Sequence, residues 1–364
     1  MNPNDPALQI LIDRVASATA AGAQLCIRGG GTKAFYGEAA QGETLDTREL
    51  DGISSYEPSE LVVTARCGTS VAALESALAE QGQCLAFEPP HFAPGGTVGG
   101  MVASGLSGPA RAAAGPLRDA VLGATILTGR NEVLTFGGQV MKNVAGYDVA
   151  RLMAGAMGIL GVILEVSLKV LPLAAASATL RFHMDEAEAL ARLNQWGGQA
   201  LPLNASAWWD GTLVIRLRGA VAAVNAAKVS LGGESLDADL ARAFWDGLRH
   251  HTDEYFVRAL VEVDSGGALW RLSVPQTAPA LTLAGEQLIE WGGAQRWLRS
   301  AMPAGVVRDA AARVGGHATL FRARGKEAGA FAPLRAPLDR IHRDLKKSFD
   351  PSGIFNPGRL YPGL

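Results

Sequence analysis

Two runs of glycine carry most of the chemistry legible in this sequence. The first, Arg28-Gly29-Gly30-Gly31-Thr32-Lys33, follows a short apolar stretch at residues 25–27 and reads as a strand emptying into a ligand loop. Residues 29–34 match G-x-G-x-x-A, the dinucleotide fingerprint. That fingerprint must open into a helix whose N-terminus takes a pyrophosphate. Here the continuation is Phe35-Tyr36-Gly37-Glu38-Ala39-Ala40-Gln41-Gly42, with two glycines and no apolar 3.6-residue period, which argues against such a helix. The Walker pattern G-x-x-x-x-G-K-[ST] is absent from the sequence. Two readings remain. One is a glycine-rich turn. The other is a nest of successive backbone N–H groups facing an anion, with the Thr32 hydroxyl and the Arg28 or Lys33 charge close by.

The second run favours the nest. Pro94-Gly95-Gly96-Thr97-Val98-Gly99-Gly100-Met101 repeats the same composition further along the chain. Two such loops can clasp two phosphates, because glycine lets the main chain approach a ligand more closely than any side chain allows. Main-chain donors need no positive charge, which suits a formal net charge of -2 from 33 Lys+Arg and 35 Asp+Glu. Neither sign forms a long block, so a general nucleic-acid binder is disfavoured. Glycine reaches 44 of 364 residues, roughly 12% against a usual value of about 7%.

The other reactive residues are scattered. Acid-base catalysis would need a base within hydrogen-bond reach of the proton it takes. Among the six histidines, His250 and His251 are adjacent at a predicted helix end and diverge, His91 follows two prolines, and His183, His317 and His342 are isolated. His317, opening a predicted strand, is the best catalytic candidate, but no constellation assigns a catalytic residue. Cys26, Cys67 and Cys84 show no C-x-x-C spacing, which argues against an iron-sulfur cluster, a zinc site or a secreted disulfide framework. No metal is expected. A reduced, cytoplasmic setting fits best. The first 22 residues lack a basic flank and a long apolar run, and no segment reaches about 18 apolar residues, so neither an export signal nor a membrane span is expected. Peripheral docking at the inner face of a membrane through a complex stays open.

The elements that must position these loops follow from periodicity. Residues 6–20 predict an amphipathic helix, residues 61–65 a strand and residues 70–81 a helix. Alternation of Leu164, Val166, Leu168 and Val170 with Glu165, Ser167 and Lys169 predicts a half-buried strand that Pro172 closes. Glycine clusters thin out after Pro172, which marks a domain boundary. Beyond it strands are predicted at residues 179–183, 212–217, 269–273 and 317–321. Helices are predicted at residues 186–196, 221–231, 280–290 and 333–349. That mixture is α+β, with helices covering one sheet. Trp208, Trp209, Trp245, Trp270, Trp291 and Trp297 crowd this half, as a partner surface or as core.

The order of RGGGT after a strand, PGGTVGG, Lys142-Asn143-Val144-Ala145-Gly146-Tyr147-Asp148 and Gly158-Ile159-Leu160-Gly161-Val162-Ile163 resembles the PCMH-type FAD-binding domain of the vanillyl-alcohol oxidase flavoprotein family. The closing Phe349-Asp350-Pro351 and Asn356-Pro357-Gly358-Arg359 resemble the end of its D-lactate dehydrogenase and glycolate oxidase branch. Over essentially the whole chain the resemblance is to the FAD-binding E subunits of bacterial glycolate oxidases. It implies an α+β fold: a FAD-binding domain of two α+β subdomains at residues 1–172, an α+β cap with an antiparallel sheet at 173–345, and a return to the FAD domain at 346–364. It implies that Arg28, Gly29, Gly30, Gly31, Thr32 and Lys33 wrap the FAD pyrophosphate. Pro94, Gly95, Gly96, Thr97, Gly99, Gly100 and Met101 would hold the other side of the phosphates and ribose. Gly146, Gly158, Gly161 and Ile163 would let main-chain groups reach the cofactor.

Tyr147 and Asp148 stand either near the flavin or as a packing residue and a helix N-cap. Arg359 places a cation near the flavin or a substrate carboxylate, or forms a surface salt bridge. Two departures from the family pattern matter. Thr32 and Lys33 stand where some members carry the histidine that tethers FAD covalently, so the flavin is expected to be noncovalent. Gly315-Gly316-His317-Ala318-Thr319-Leu320 lacks the Asp-Gly-Asn continuation of catalytic members. The resemblance implies an oxidoreductase subunit that supports oxidation of glycolate to glyoxylate beside a catalytic flavin subunit and an iron-sulfur subunit. The alternatives are a self-sufficient FAD-dependent 2-hydroxy acid dehydrogenase, using His317 and Arg359, and a scaffold without flavin.

Overall fold

The computed structural model describes residues 3–139 and 147–364; Gly146 and the rest of the predicted flavin segment up to it lie outside the described residues. The chain divides into two units, one of Met1–Leu106, Pro116–Pro172 and Pro333–Leu364, the other of Ser107–Gly115 and Leu173–Ala332.

In the first unit, helix α1 (Pro6–Ala21) starts where the Asp5 carboxylate accepts the Ala7 and Leu8 N–H groups, and ends at Gly22 in the left-handed conformation. Its stripe of Leu8, Leu11, Val15 and Ala18 is buried. Strand β1 (Leu25–Arg28) pairs in parallel with β2 (Glu43–Asp46). Next come β3 (Ile53–Glu57), β4 (Val62–Arg66), α2 (Val71–Glu80), α3 (Val98–Ser104), β5 (Val121–Leu127), β6 (Val133–Gly137) and β7 (Val162–Lys169). Among the described residues these strands form an antiparallel sheet in the order β3-β4-β7-β5-β6. Strand β7 is more deeply buried than its alternation predicts. It lies inside the sheet, and the Ser167 hydroxyl that alternation would turn to water is hydrogen-bonded to Thr64 at 2.8 Å.

The second unit is built on an antiparallel sheet of strands β8 (Ala176–His183), β9 (Leu203–Trp209), β10 (Thr212–Gly219), β11 (Glu234–Ser235), β12 (Ala268–Ser273), β13 (Glu286–Glu290), β14 (Gln295–Ser300) and β15 (His317–Ala323). Their order is β11-β8-β10-β9-β13-β14-β12-β15. Counted from either edge the pattern is fourth, first, third, second, so the sheet is two copies of one four-strand motif joined where β9 pairs with β13. The first copy carries α4 (Glu186–Gly197) and α5 (Val221–Leu231) in the β-α-β-β-α-β order. Helices α6 (Ala238–His250) and α7 (Glu254–Asp264) separate the copies, and α8 (Ala304–Arg313) covers the second.

The helix predicted at residues 280–290 is not formed: residues 286–290 are β13 and the preceding residues run as a loop. Gly285 has φ +129°, and a Cβ there would fall on the Arg299 carbonyl oxygen, so the chain crosses β14 too closely for a helix. Arg296, fully buried, replaces the missing helical hydrogen bonds by donating to the carbonyls of Ala278, Pro279 and Gly293. Trp245, Trp270, Trp291 and Trp297 are buried and Trp208 and Trp209 half-buried, so the tryptophans are mostly core.

Helix α9 (Leu338–Phe349) and the tail return to the first unit. The return begins at Pro333 rather than at residue 346, because Lys346 of α9 donates to the carbonyls of Ile159 and Phe355. Residues 107–115 fall in the second unit rather than the first: Gly108 accepts the Trp291 indole N–H at 3.1 Å, and Arg111 lies over the Trp291 ring.

Candidate functional site

Strand β1 delivers Arg28 into the first glycine loop, and the loop lies directly against the second. A Cβ on Gly30 would fall on the Gly95 carbonyl oxygen, and one on Gly29 on the Thr97 hydroxyl. Glycine stands here because two backbones touch. Beside this contact opens a cleft of about 160 Å³. Its lining includes Arg28, Gly29, Gly30, Gly31, Thr32, Lys33, Thr97, Gly99, Gly100, Gly158, Gly161, Ile163 and Arg359.

The two loops use their N–H groups differently. In the first, Ala34 N–H closes on Gly31 O and Tyr36 N–H on Lys33 O, with Gly31 at φ +70°. Among the described residues the N–H groups of Gly30, Gly31 and Thr32 have no protein acceptor. In the second loop, Thr97 caps α3: its hydroxyl accepts Gly100 N–H and its carbonyl Met101 N–H, while Gly99 N–H goes to Cys67 O at 2.8 Å. Of the amides in this run, those of Val98, Gly99, Gly100 and Met101 are bonded within the protein, whereas those of Gly95, Gly96 and Thr97 have no protein acceptor among the described residues. Thr97, Gly99 and Gly100 form wall; Met101 is core, 1% exposed; Pro94, Gly95 and Gly96 do not line the cleft. The N-capped helix takes the donors at the end of the glycine run and leaves those at its start.

The third wall, at Met157, Gly158 and Gly161, is held by the C-terminal segment. Asn356 accepts Ile27 N–H at 2.7 Å on its side-chain oxygen, donates to Met157 O at 2.7 Å, and donates its own N–H to Leu25 O. Gly158, at φ +75°, would place a Cβ 2.5 Å from the Asn356 amide nitrogen. Phe355 bridges Leu25 in parallel. Behind it, the buried Asp350 carboxylate accepts Lys346 Nζ at 2.6 Å and the N–H groups of Ile354 and Phe355. Burial lowers the Lys346 pKa and the Asp350 charge opposes that shift. In the sequence Asn356 stood out only within the Asn-Pro-Gly-Arg string that carries the family resemblance; in the fold it adopts φ +41°, which asparagine tolerates.

Arg359 lines the cleft but faces neither a carboxylate nor solvent. Its guanidinium donates to the carbonyls of Glu38, Lys33 and Ala34, and Glu38 N–H returns to Arg359 O at 3.0 Å. It clamps the end of the first loop. His317 is exposed, opens β15 opposite Ser273 and belongs to the second unit, whereas the cleft's lining comes from the first. Of the two catalytic candidates, Arg359 lines the cleft and His317 is not part of its lining. Asp148 caps a short helix by accepting Arg151 N–H, and Tyr147 is 96% exposed, which favours the cap reading for the first. His251 is buried and stacked on Phe256 at 3.7 Å, a core histidine.

The lining contains no carboxylate among the described residues; it offers main-chain donors, four threonine or serine hydroxyls from Thr32, Thr47, Thr97 and Ser104, and three cationic side chains. Lys33 is half-buried and desolvation lowers its pKa to about 8. Burial pushes the Cys67 thiol up to about 12, so it stays protonated and inert. Such a cleft suits an elongated anionic ligand: neutral donors along one side, cations at the end, nothing to repel a phosphate.

Comparison with known proteins agrees with this chemistry. The FAD binding domain family matches residues 9–137. Glycolate oxidase subunit GlcE of Escherichia coli (strain K12) is 47% identical over 356 residues, covering 98% of this chain and 98% of that protein. D-lactate dehydrogenase of Anaerostipes hadrus is 31% identical over 36% of this chain and 27% of that one. Among solved structures, alkyldihydroxyacetonephosphate synthase superposes with a TM-score of 0.66 over 96% of this chain and 75% of its own, at 16% identity, a likeness of fold.

Proposed function

The chain belongs to the glycolate oxidase subunit GlcE family, and from that premise we propose that its first unit is the FAD site of a glycolate oxidase complex that converts glycolate to glyoxylate. FAD is the cofactor of the domain, and the chain is an oxidoreductase subunit of a multi-subunit enzyme. Bound in the cleft, FAD supplies a carrier that accepts electrons in pairs and passes them on singly.

The observation that carries the site assignment is the contact of the two glycine loops beside a carboxylate-free cleft, with the Gly30, Gly31 and Thr32 N–H groups left for a ligand. The first loop binds the diphosphate, Arg359 holds that loop closed, and Asn356 fixes β1 against Gly158, so that the wall is set before the ligand arrives. Thr32 and Lys33 hold the flavin noncovalently.

The work of taking a proton and hydride from glycolate falls to a partner flavin subunit. No histidine or carboxylate lines this cleft among the described residues, and Arg359 gives its donors to carbonyls. That geometry weakens the reading of a self-sufficient dehydrogenase. The three free cysteines, Cys26, Cys67 and Cys84, are not spaced for a cluster, so electrons leave through an iron-sulfur subunit. Free thiols suit a reduced cytoplasm. Among the described residues no helix is long and apolar enough to cross a membrane, and any contact with the membrane face is made through the complex.

The experiment is a visible spectrum of the purified full chain with an FAD titration, followed by acid precipitation and by dye reduction with and without partner subunits. The reading expects about one FAD per chain, all of it released by acid, and glycolate turnover only with partners. A chain that takes up no flavin returns it to a scaffold, and turnover by the isolated chain makes it an independent dehydrogenase.

A further inference from the structure

Three cationic side chains reach the cleft, and they are held differently. Arg359 donates to main-chain carbonyls, and the Arg28 guanidinium is exposed and folded over Gly31. Lys33 differs. Its side chain leaves the first glycine loop and reaches toward the second: Nζ is 3.8 Å from where a Cβ on Gly96 would stand, 3.4 Å from the Thr32 hydroxyl and 5.8 Å from the centre of the Phe92 ring. Gly96 leaves room for the ammonium to come close, and Phe92 offers it a ring face. Among the described residues no carboxylate forms an ion pair with it.

We propose that Lys33 is the specificity-determining residue of the cleft: its ammonium, held between the two glycine loops, is the counter-ion of a ligand phosphate and selects a phosphate-bearing flavin over an uncharged one. The inference rests on the FAD reading of the preceding subsection and deepens it. Backbone N–H groups are neutral and accept any oxygen of suitable shape, so they do not separate a charged ligand from a neutral one. An ammonium that has lost part of its hydration and gained no carboxylate partner does, because the ligand's charge stabilises its protonated form.

The same balance makes binding depend on pH. With the empty-site pKa lowered to about 8, the lysine loses its proton above that value, and phosphate affinity falls as pH rises. The other ionisable groups on the cleft are Arg28, Arg359, Cys26 and Cys67, and on the second loop's side His91, paired with Glu75 at 3.0 Å.

The test titrates the full chain, freed of flavin, with FAD, with flavin mononucleotide and with riboflavin, following flavin fluorescence from about pH 7 to about pH 10. The wild type is compared with Lys33→Met and Lys33→Arg. Lys33→Met is expected to weaken FAD roughly ten- to hundredfold at neutral pH, to weaken flavin mononucleotide in the same direction, and to leave riboflavin unchanged. That last result also shows that the fold is intact. Lys33→Arg restores most of the affinity, and both variants lose the decline of FAD affinity above about pH 8. The proposal is overturned if Lys33→Met binds FAD as the wild type does, loses FAD and riboflavin equally, or keeps the wild-type pH slope. A wild type that binds no FAD at all overturns the flavin reading along with it, whereas tight FAD binding indifferent to Lys33 removes only the role of this residue.

Discussion

Lys346 and Asp350 show how side chains far from any ligand hold a binding wall in place. Their side chains are 9% and 0% exposed and 2.6 Å apart, and between them they satisfy the carbonyls of Ile159 and Phe355 and the N–H groups of Ile354 and Phe355, tying the segment that carries Asn356 to the wall at Gly158. Removing one partner leaves a buried charge alone, so Lys346→Met should cost about 3 to 5 kcal/mol and Asp350→Leu a similar amount, read by urea unfolding. The double variant should lose less than the sum of the two, since the second change removes the charge the first orphaned. Strict additivity would show that the pair acts as two independent hydrogen-bonding groups. The Phe-Asp-Pro and Asn-Pro-Gly-Arg strings were legible as a family resemblance, but their work was not. That Asn356 and Arg359 bond backbone 199 to 329 positions away is a property of the folded chain that no local pattern encodes.

At the scale of elements, the two glycine runs differ in the local structure they adopt. Both are runs of small residues, but only the second contains Thr97 followed by Val98, Met101 and Val102 at helical spacing, and this turns a donor-rich loop into a capped helix buried against the sheet. The lost helix at residues 280–290 has the opposite cause. Its window has apolar residues at tolerable helical spacing, yet the second copy of the four-strand motif requires β13 there, and pairing with β9 and β14 outweighs local preference. Strands β9 and β14 themselves escaped periodicity because tryptophans and arginines occupy both their faces. Arg296 now does for this loop what a helix would have done for itself. Arg296→Met strips the hydrogen-bond donors from three carbonyls at roughly 1 to 3 kcal/mol each when they stay unsatisfied. Thermal unfolding should shift down sharply while FAD affinity of the chain, set by residues of the other unit, stays unchanged. A variant as stable as the wild type would mean that water or a rearranged loop replaces the guanidinium.

For the molecule as a whole, the boundary at Pro172 and the α+β class were visible in the thinning of glycine and the change of period, while the return of α9 and the placement of residues 107–115 depend on contacts made only after folding. The account stands on one claim, that the first glycine loop binds the diphosphate of FAD through main-chain N–H groups beside the second loop. Amide hydrogen exchange of the full chain with and without FAD reads those groups directly. The account predicts that FAD slows exchange most at Gly30, Gly31 and Thr32, with lesser change at the already bonded amides of Gly99 and Met101. Unchanged exchange in the first glycine loop, with protection appearing in the second unit, would contradict it.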